Sequence, residues 1–118
     1  MLKSEIVNGI EIISIEGTDK IISANAETFK SALSQRFDQN GIKAILDLQN
    51  ISFLDSSGFS ALLSALKKAT INKGVFKICN VKTEVMRLFS LLNLDHVFEI
   101  SDNMNECIAS FDSKQFYY

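Results

Sequence analysis

The run from Ile45 to Phe59, Ile-Leu-Asp-Leu-Gln-Asn-Ile-Ser-Phe-Leu-Asp-Ser-Ser-Gly-Phe, most constrains how this chain can fold. It reads as a buried strand, a short connection, and a tight polar turn opening a helix with an apolar face. A helix start carries unpaired N–H groups and partial positive charge. Asp55-Ser56-Ser57-Gly58 therefore sets two hydroxyls and a carboxylate where an anion is tolerated. Two readings are open at this point. Asp55 caps the helix, with Leu54 packing on Phe59 as a hydrophobic staple and the serines as ordinary first-turn residues. Alternatively, Ser56 is a phosphorylation switch. The two are compatible, because a cap supplied by Asp55 leaves the Ser56 hydroxyl facing solvent.

The segments on either side follow an alternating α/β pattern. Glu5 to Ile12 is two β-prone runs around Asn8-Gly9, a strong hairpin signal. The second strand, Ile10 to Glu16, is partly apolar on both faces, as in a strand interior to a sheet. Gly17-Thr18-Asp19-Lys20 reads as a turn. A helix is expected from Asn25, as N-cap, to Gln39, with Ala26, Phe29, Leu33 and Phe37 at helical spacing. Asn40-Gly41 ends it, and Lys43 to Leu48 is the next strand. Strand, crossover helix and strand imply a right-handed parallel βαβ unit.

After the Asp55 turn, Phe59, Leu62, Leu63 and Leu66 are expected on the buried stripe of a helix, with Ser60, Ser64, Lys67 and Lys68 opposite. Gly74 is expected to stop that helix before a strand at Val75–Cys79. A further helix is expected from Thr83 to Leu92 with Val85, Leu88, Phe89 and Leu92 inward, ended by a left-handed Asn93. Val97–Ile100 reads as a last strand. Ser101 or Asp102 is expected to cap a final helix bearing Met104, Cys107, Ile108 and Phe111. The tail from Lys114 to Tyr118 is expected either to fray or to lay its aromatics on the body. With 118 residues, 47% hydrophobic content, no proline and no repeat, the chain reads as one domain, residues 1–118.

Several functions are excluded by what the residues lack. A net charge of −2 offers no basic face for nucleic acid. Lys67, Lys68 and Lys73 are the only basic cluster and complement a helix dipole. No stretch has the length of a membrane span, and the N-terminal residues lack the apolar core of a signal peptide. A cytoplasmic location is expected. Cys79 and Cys107 fit no metal or redox spacing and read as reduced core thiols. His96 reads as a solvent-facing turn residue. Neither the nucleophile-elbow pattern nor a phosphate-binding glycine loop occurs. Asp19, Asp47 and Asp55 read as turn and strand-end carboxylates, with no metal spacing. A receiver domain would need an acidic pair after the first strand, where this chain has a hairpin. No cofactor is expected.

Leu46 to Gly58 closely resembles the signature of the anti-sigma factor antagonists, the STAS domains. Two further blocks agree: Val85-Met86-Arg87-Leu88-Phe89 with Leu94 and Val97-Phe98, and Asn25-Ala26-Glu27-Thr28-Phe29. The resemblance spans almost the whole chain. It implies a STAS-like mixed β-sheet of four to five strands with an N-terminal hairpin, covered by about four helices. It further implies a binding switch with no enzymatic activity of its own. Ser56 would be phosphorylated by an anti-sigma factor that is also a serine kinase, and a serine phosphatase would reverse this. The unphosphorylated form would hold the anti-sigma factor and free a sigma factor. Asp55, Ser57, Gly58, Ser60, Ser64 and Asp19 would touch the partner. The loop Gly17–Ala24 is about two residues longer than the family pattern, so Ile22 stands where the family carries an aspartate, and Asn93 replaces a glycine. The same domain also occurs as a scaffold or regulatory subunit in stress-signalling or transport complexes, which is the alternative reading.

Overall fold

A computed structural model describes residues 1–112; the tail from Lys114 to Tyr118 lies outside them. The hairpin pairs β1 (Leu2–Val7) with β2 (Ile10–Ile15), antiparallel, with Glu5 opposite Ile12. Asn8 and Gly9 sit at φ 54° and 78°, the doubly left-handed turn that two-residue hairpins favour because its twist matches the strands. From β2 the sheet grows by parallel additions of β4 (Lys43–Asp47), β6 (Val75–Cys79) and β7 (Glu99–Ser101), in the order β1-β2-β4-β6-β7. Two shorter strands, β3 (Lys20–Ile21) and β5 (Phe53–Leu54), form a separate parallel pair. In the sequence neither is distinguishable from the turn and the connection around it.

The helices are α1 (Ala26–Gln35), α2 (Ser56–Ile71), α3 (Thr83–Leu91) and α4 (Met104–Ser110). The main core lies on one face of the sheet, where Ile13, Leu46 and Ile78 meet Phe29, Leu33, Leu62 and Phe89. The other face is covered by α4, whose Cys107 joins Ile10, Ile45, Cys79 and the C-cap residue Phe111 in a second cluster. Beneath α4, buried Lys77 reaches Ser110 Oγ at 2.6 Å and Glu99 at 3.1 Å.

Several element ends differ from the pattern in the sequence. The regular part of α1 stops at Gln35, four residues early, because Arg36, Phe37 and Asp38 donate to carbonyls three residues back. This tighter winding still delivers Phe37 to the core. At the end of α2 the left-handed residue is Lys73, at φ 60°, and Gly74 comes one place later. Lys73 N–H returns to Thr70 O and Gly74 N–H to Ala69 O, the paired bonds of a Schellman motif. Gly74 is needed for another reason: a Cβ there would lie 2.5 Å from the Ile42 carbonyl oxygen. The motif recurs at Asn93, at φ 58°, with Leu94 N–H donating to Phe89 O. Leu94 thus turns back onto the core, and Leu92, expected inside, is left exposed. Ser101 is taken up by β7, so α4 is capped by Asn103, whose side chain accepts from Glu106 N–H at 3.1 Å.

In α2 the buried stripe runs through Gly58, Phe59, Ala61, Leu62, Ala65 and Ala69. Leu63, expected on that stripe, is exposed, because it lies about 100° around the helix from Leu62. The alanines let α2 settle close to its neighbours, which positions its first turn.

Candidate partner-docking site

All the strands of the sheet after β1 run the same way, so the loops leading into α1, α2 and α3 gather at one end of it. Open α/β sheets place their sites at these carboxyl ends. The Asp55 turn stands there. Asp55 has extended backbone angles and caps α2 as expected, its Oδ1 accepting from Gly58 N–H at 3.1 Å. A carboxylate at a helix start is favoured by the N–H groups there. With the cap supplied, Ser56 is an exposed first-turn residue, and its hydroxyl makes no hydrogen bond among the described residues. Ser57 is half-buried and Gly58 fully buried.

Gly58 owes its place to a close approach, since its own φ is ordinary. A Cβ there would sit 2.5 Å from Ile21 O and within 3.2 Å of the Ile21 and Leu54 side chains. The helix start is thereby pressed onto β3. The same Ile21 carbonyl accepts from Asp55 N–H at 3.2 Å, and Asp19 O accepts from Ser52 N–H at 2.7 Å. Together with the β3–β5 pairing, these bonds lay the loop before α1 alongside the Asp55 turn.

The loop has its own brace. Asn25, expected to cap α1, makes no capping bond; its side chain turns back instead. Its Oδ1 accepts from Ile22 N–H at 2.9 Å and its Nδ2 donates to Lys20 O at 3.0 Å. From the other side, Asp55 Oδ2 accepts from Ser23 N–H at 3.0 Å. Of the expected contact residues, Asp19 lies beside Ser52, three residues before Asp55, with its side chain exposed. Ser60 continues the exposed face of α2 one turn beyond Ser56, and Ser64, half-buried, lies a turn further on.

The bond from Ser23 to Asp55, the Asn25 brace and the exposure of Phe53 are not legible in the sequence. Phe53 is an aromatic left 42% exposed beside the Ser56 turn. The signals available were the apolar pairs Ile21-Ile22 and Phe53-Leu54, each too short to be distinguished from a loop.

Among the described residues no group of three or more His, Cys, Asp or Glu side chains could hold a metal ion. Asp47 accepts from Gln49 N–H at 2.9 Å and from the Asn80 side chain at 3.3 Å, so the carboxylates of Asp47 and Asp55 are both spent on bracing backbone turns. His96 is exposed, 3.6 Å from Asp95. Cys79 and Cys107 are buried free thiols. Burial, reinforced by Cys107 and Asp47 nearby, pushes the Cys79 thiol up to about 11.

The sequence profile of the STAS domain matches residues 2–107. The chain belongs to the STAS domain family. Among its relatives is BtrV of Bordetella bronchiseptica, described as a candidate anti-sigma factor antagonist, 24% identical over 105 residues and 89% of each chain. The anti-sigma factor antagonist SpoIIAA in its unphosphorylated form shares the fold, with a TM-score of 0.69 at 18% identity over 96% of this STAS domain and 99% of SpoIIAA. Its phosphorylated form also superposes, with a TM-score of 0.66 at 18% identity over 94% and 99%. The fold recurs within the murine anion transporter Slc26a9, with a TM-score of 0.77 at 17% identity over 93% of this chain and 19% of the transporter. Among the described residues of this STAS domain, no helix is long and apolar enough to cross a membrane.

Proposed function

We propose that this STAS domain is a phosphorylation-switched antagonist whose unphosphorylated form binds an anti-sigma factor with serine kinase activity and so releases a sigma factor. Ser56 is the acceptor, and a serine phosphatase returns the domain to its binding form. The domain contributes no catalytic group. The observation that carries the reading is the division of labour between neighbours: Asp55 holds the helix cap, and the Ser56 hydroxyl stands exposed beside it.

A phosphate on Ser56 adds about −1.5 to −2 charges. The helix start tolerates that charge, so the fold is expected to survive the modification. The docking face does not tolerate it. A contact surface matched to a neutral hydroxyl next to a carboxylate meets both like-charge repulsion and the desolvation of a dianion. Ser57, Gly58, Ser60, Ser64 and Asp19 complete the face as proposed contacts or supports.

The test is calorimetric titration of the cognate anti-sigma factor against wild type and Ser56→Asp, with phosphopeptide mapping after incubation with the partner and ATP. A loss of about 100-fold in affinity, roughly 2.7 kcal/mol, is expected for Ser56→Asp. Equal affinity, or phosphate mapped to another residue, would refute the reading. The likeness to a segment of an anion transporter favours a second reading, a regulatory module of a larger complex. A transporter that co-purifies stably, with Ser56 never phosphorylated, would support it.

A further inference from the structure

Asp55 has two carboxylate oxygens, and the fold uses one on its own helix start and the other on a loop 32 residues earlier in the chain. Oδ1 caps α2 through Gly58 N–H at 3.1 Å, while Oδ2 takes Ser23 N–H at 3.0 Å. The second bond is exposed, so water competes for both of its partners, and its net contribution to stability is small. Its effect is positional. Asn25 fixes the internal shape of the loop from Lys20 to Asn25, and the β3–β5 pairing anchors only Lys20 and Ile21. Ser23 and Ala24, both exposed, stand past the last ladder pair. The side-chain hydrogen bond that ties this tip to the Ser56 turn comes from Asp55.

We propose that Asp55 is a positioning residue that holds the Ser23–Ala24 tip in the plane of the Ser56 turn, so that tip and turn form one docking face for the anti-sigma factor. This rests on the function proposed above, whose face already takes in the loop before α1, and adds to it the device that sets the loop's tip. If the tip is in place only a tenth of the time, apparent affinity falls about tenfold, because the partner selects the competent fraction.

Two variants separate this role from capping. Asp55→Asn keeps an oxygen for Gly58 but turns an NH2 toward the Ser23 N–H. Asp55→Ser keeps a capping oxygen and is too short to reach the loop. Both residue types cap helices well, so the urea midpoint is expected to stay near that of wild type. Amide hydrogen exchange is then followed at Ser23 and Gly58 in the full chain, and binding is titrated with the recombinant serine-kinase anti-sigma factor of the source organism. Expected in both variants are exchange at Ser23 at least about tenfold faster, little change at Gly58, and affinity about tenfold weaker. Unchanged Ser23 exchange would overturn the proposal, and so would faster exchange with wild-type affinity. A wild-type chain that binds no anti-sigma factor while Ser23 stays protected would instead mark the failure of the functional reading, and the docking half of the inference would fall with it.

Discussion

Replacing Gly58 by alanine puts the geometry of the Ser56 turn to a direct test. In an exposed helix interior the exchange stabilises, because glycine is about 1 kcal/mol poorer than alanine there. Gly58 is not in such a place. The added Cβ would stand 2.5 Å from the Ile21 carbonyl oxygen, 3.1 Å from Leu54 Cβ and 3.2 Å from Ile21 Cβ. The first of these contacts involves backbone, so no rotamer change relieves it. Either β3 or the start of α2 must retreat by several tenths of an ångström. That retreat strikes the hydrogen bond from Asp55 N–H to the same carbonyl, already 3.2 Å long. Overpacking of this kind costs about 1–3 kcal/mol, and a lost hydrogen bond about 1 kcal/mol more. Set against the gain in helix propensity, the net expectation is a loss of about 1–3 kcal/mol.

Urea denaturation followed by circular dichroism measures it. With a slope of about 1–3 kcal/mol per molar urea for a small domain, the midpoint should fall by roughly 1 M. The Ser23 amide should lose protection along with it, because Asp55 is carried with the helix start. The result that would refute the reasoning is a Gly58→Ala variant about 1 kcal/mol more stable than wild type. That outcome would mean that β3 and α2 are not pressed together, and that the loop and the Ser56 turn are not held as one surface.

Two further outcomes follow from the frame around the site. Lys73 occupies a left-handed position at φ 60°, where a side chain costs about 1 kcal/mol that glycine does not incur. Lys73→Gly should therefore raise the urea midpoint, whereas Gly74→Ala, whose Cβ would meet the Ile42 carbonyl at 2.5 Å, should lower it. The Cys79 thiol, raised from 9.0 to about 11 chiefly by burial, titrates later in the folded chain than in the unfolded one. Its contribution is complete below about pH 9 and is lost as pH rises toward 11, at up to about 1.4 kcal/mol per pH unit. Urea curves across that window should show the slope, and Cys79→Ala should reduce it, leaving the part due to the Cys107 thiol, which burial also raises; an unchanged slope would exclude Cys79 as a source.

What could be read in the sequence, and what could not, divides by distance along the chain. The Asn8-Gly9 hairpin, the cap by Asp55 on Gly58 three residues later, and the left-handed Asn93 each depend on neighbours within a few positions, and all three stand in the structure. Expectation and structure part where a local rule has more than one solution. Gly74 does follow the end of α2, but Lys73 takes the left-handed place and the glycine is needed where backbone passes close by. Asn25 could cap α1 or brace the loop behind it, and it braces the loop. The β3–β5 pair was illegible for a different reason: two residues are too few to display a period, and their pairing spans more than thirty positions. That pair decides what the site is. Without it, Asp55-Ser56-Ser57-Gly58 is a capped helix start, which occurs in chains of every function. With it, the loop from Lys20 to Asn25 lies against the turn, and the second oxygen of Asp55 finds Ser23. A motif of four residues can therefore point to the proposed acceptor serine, whereas the surface around that serine is assembled only by the fold.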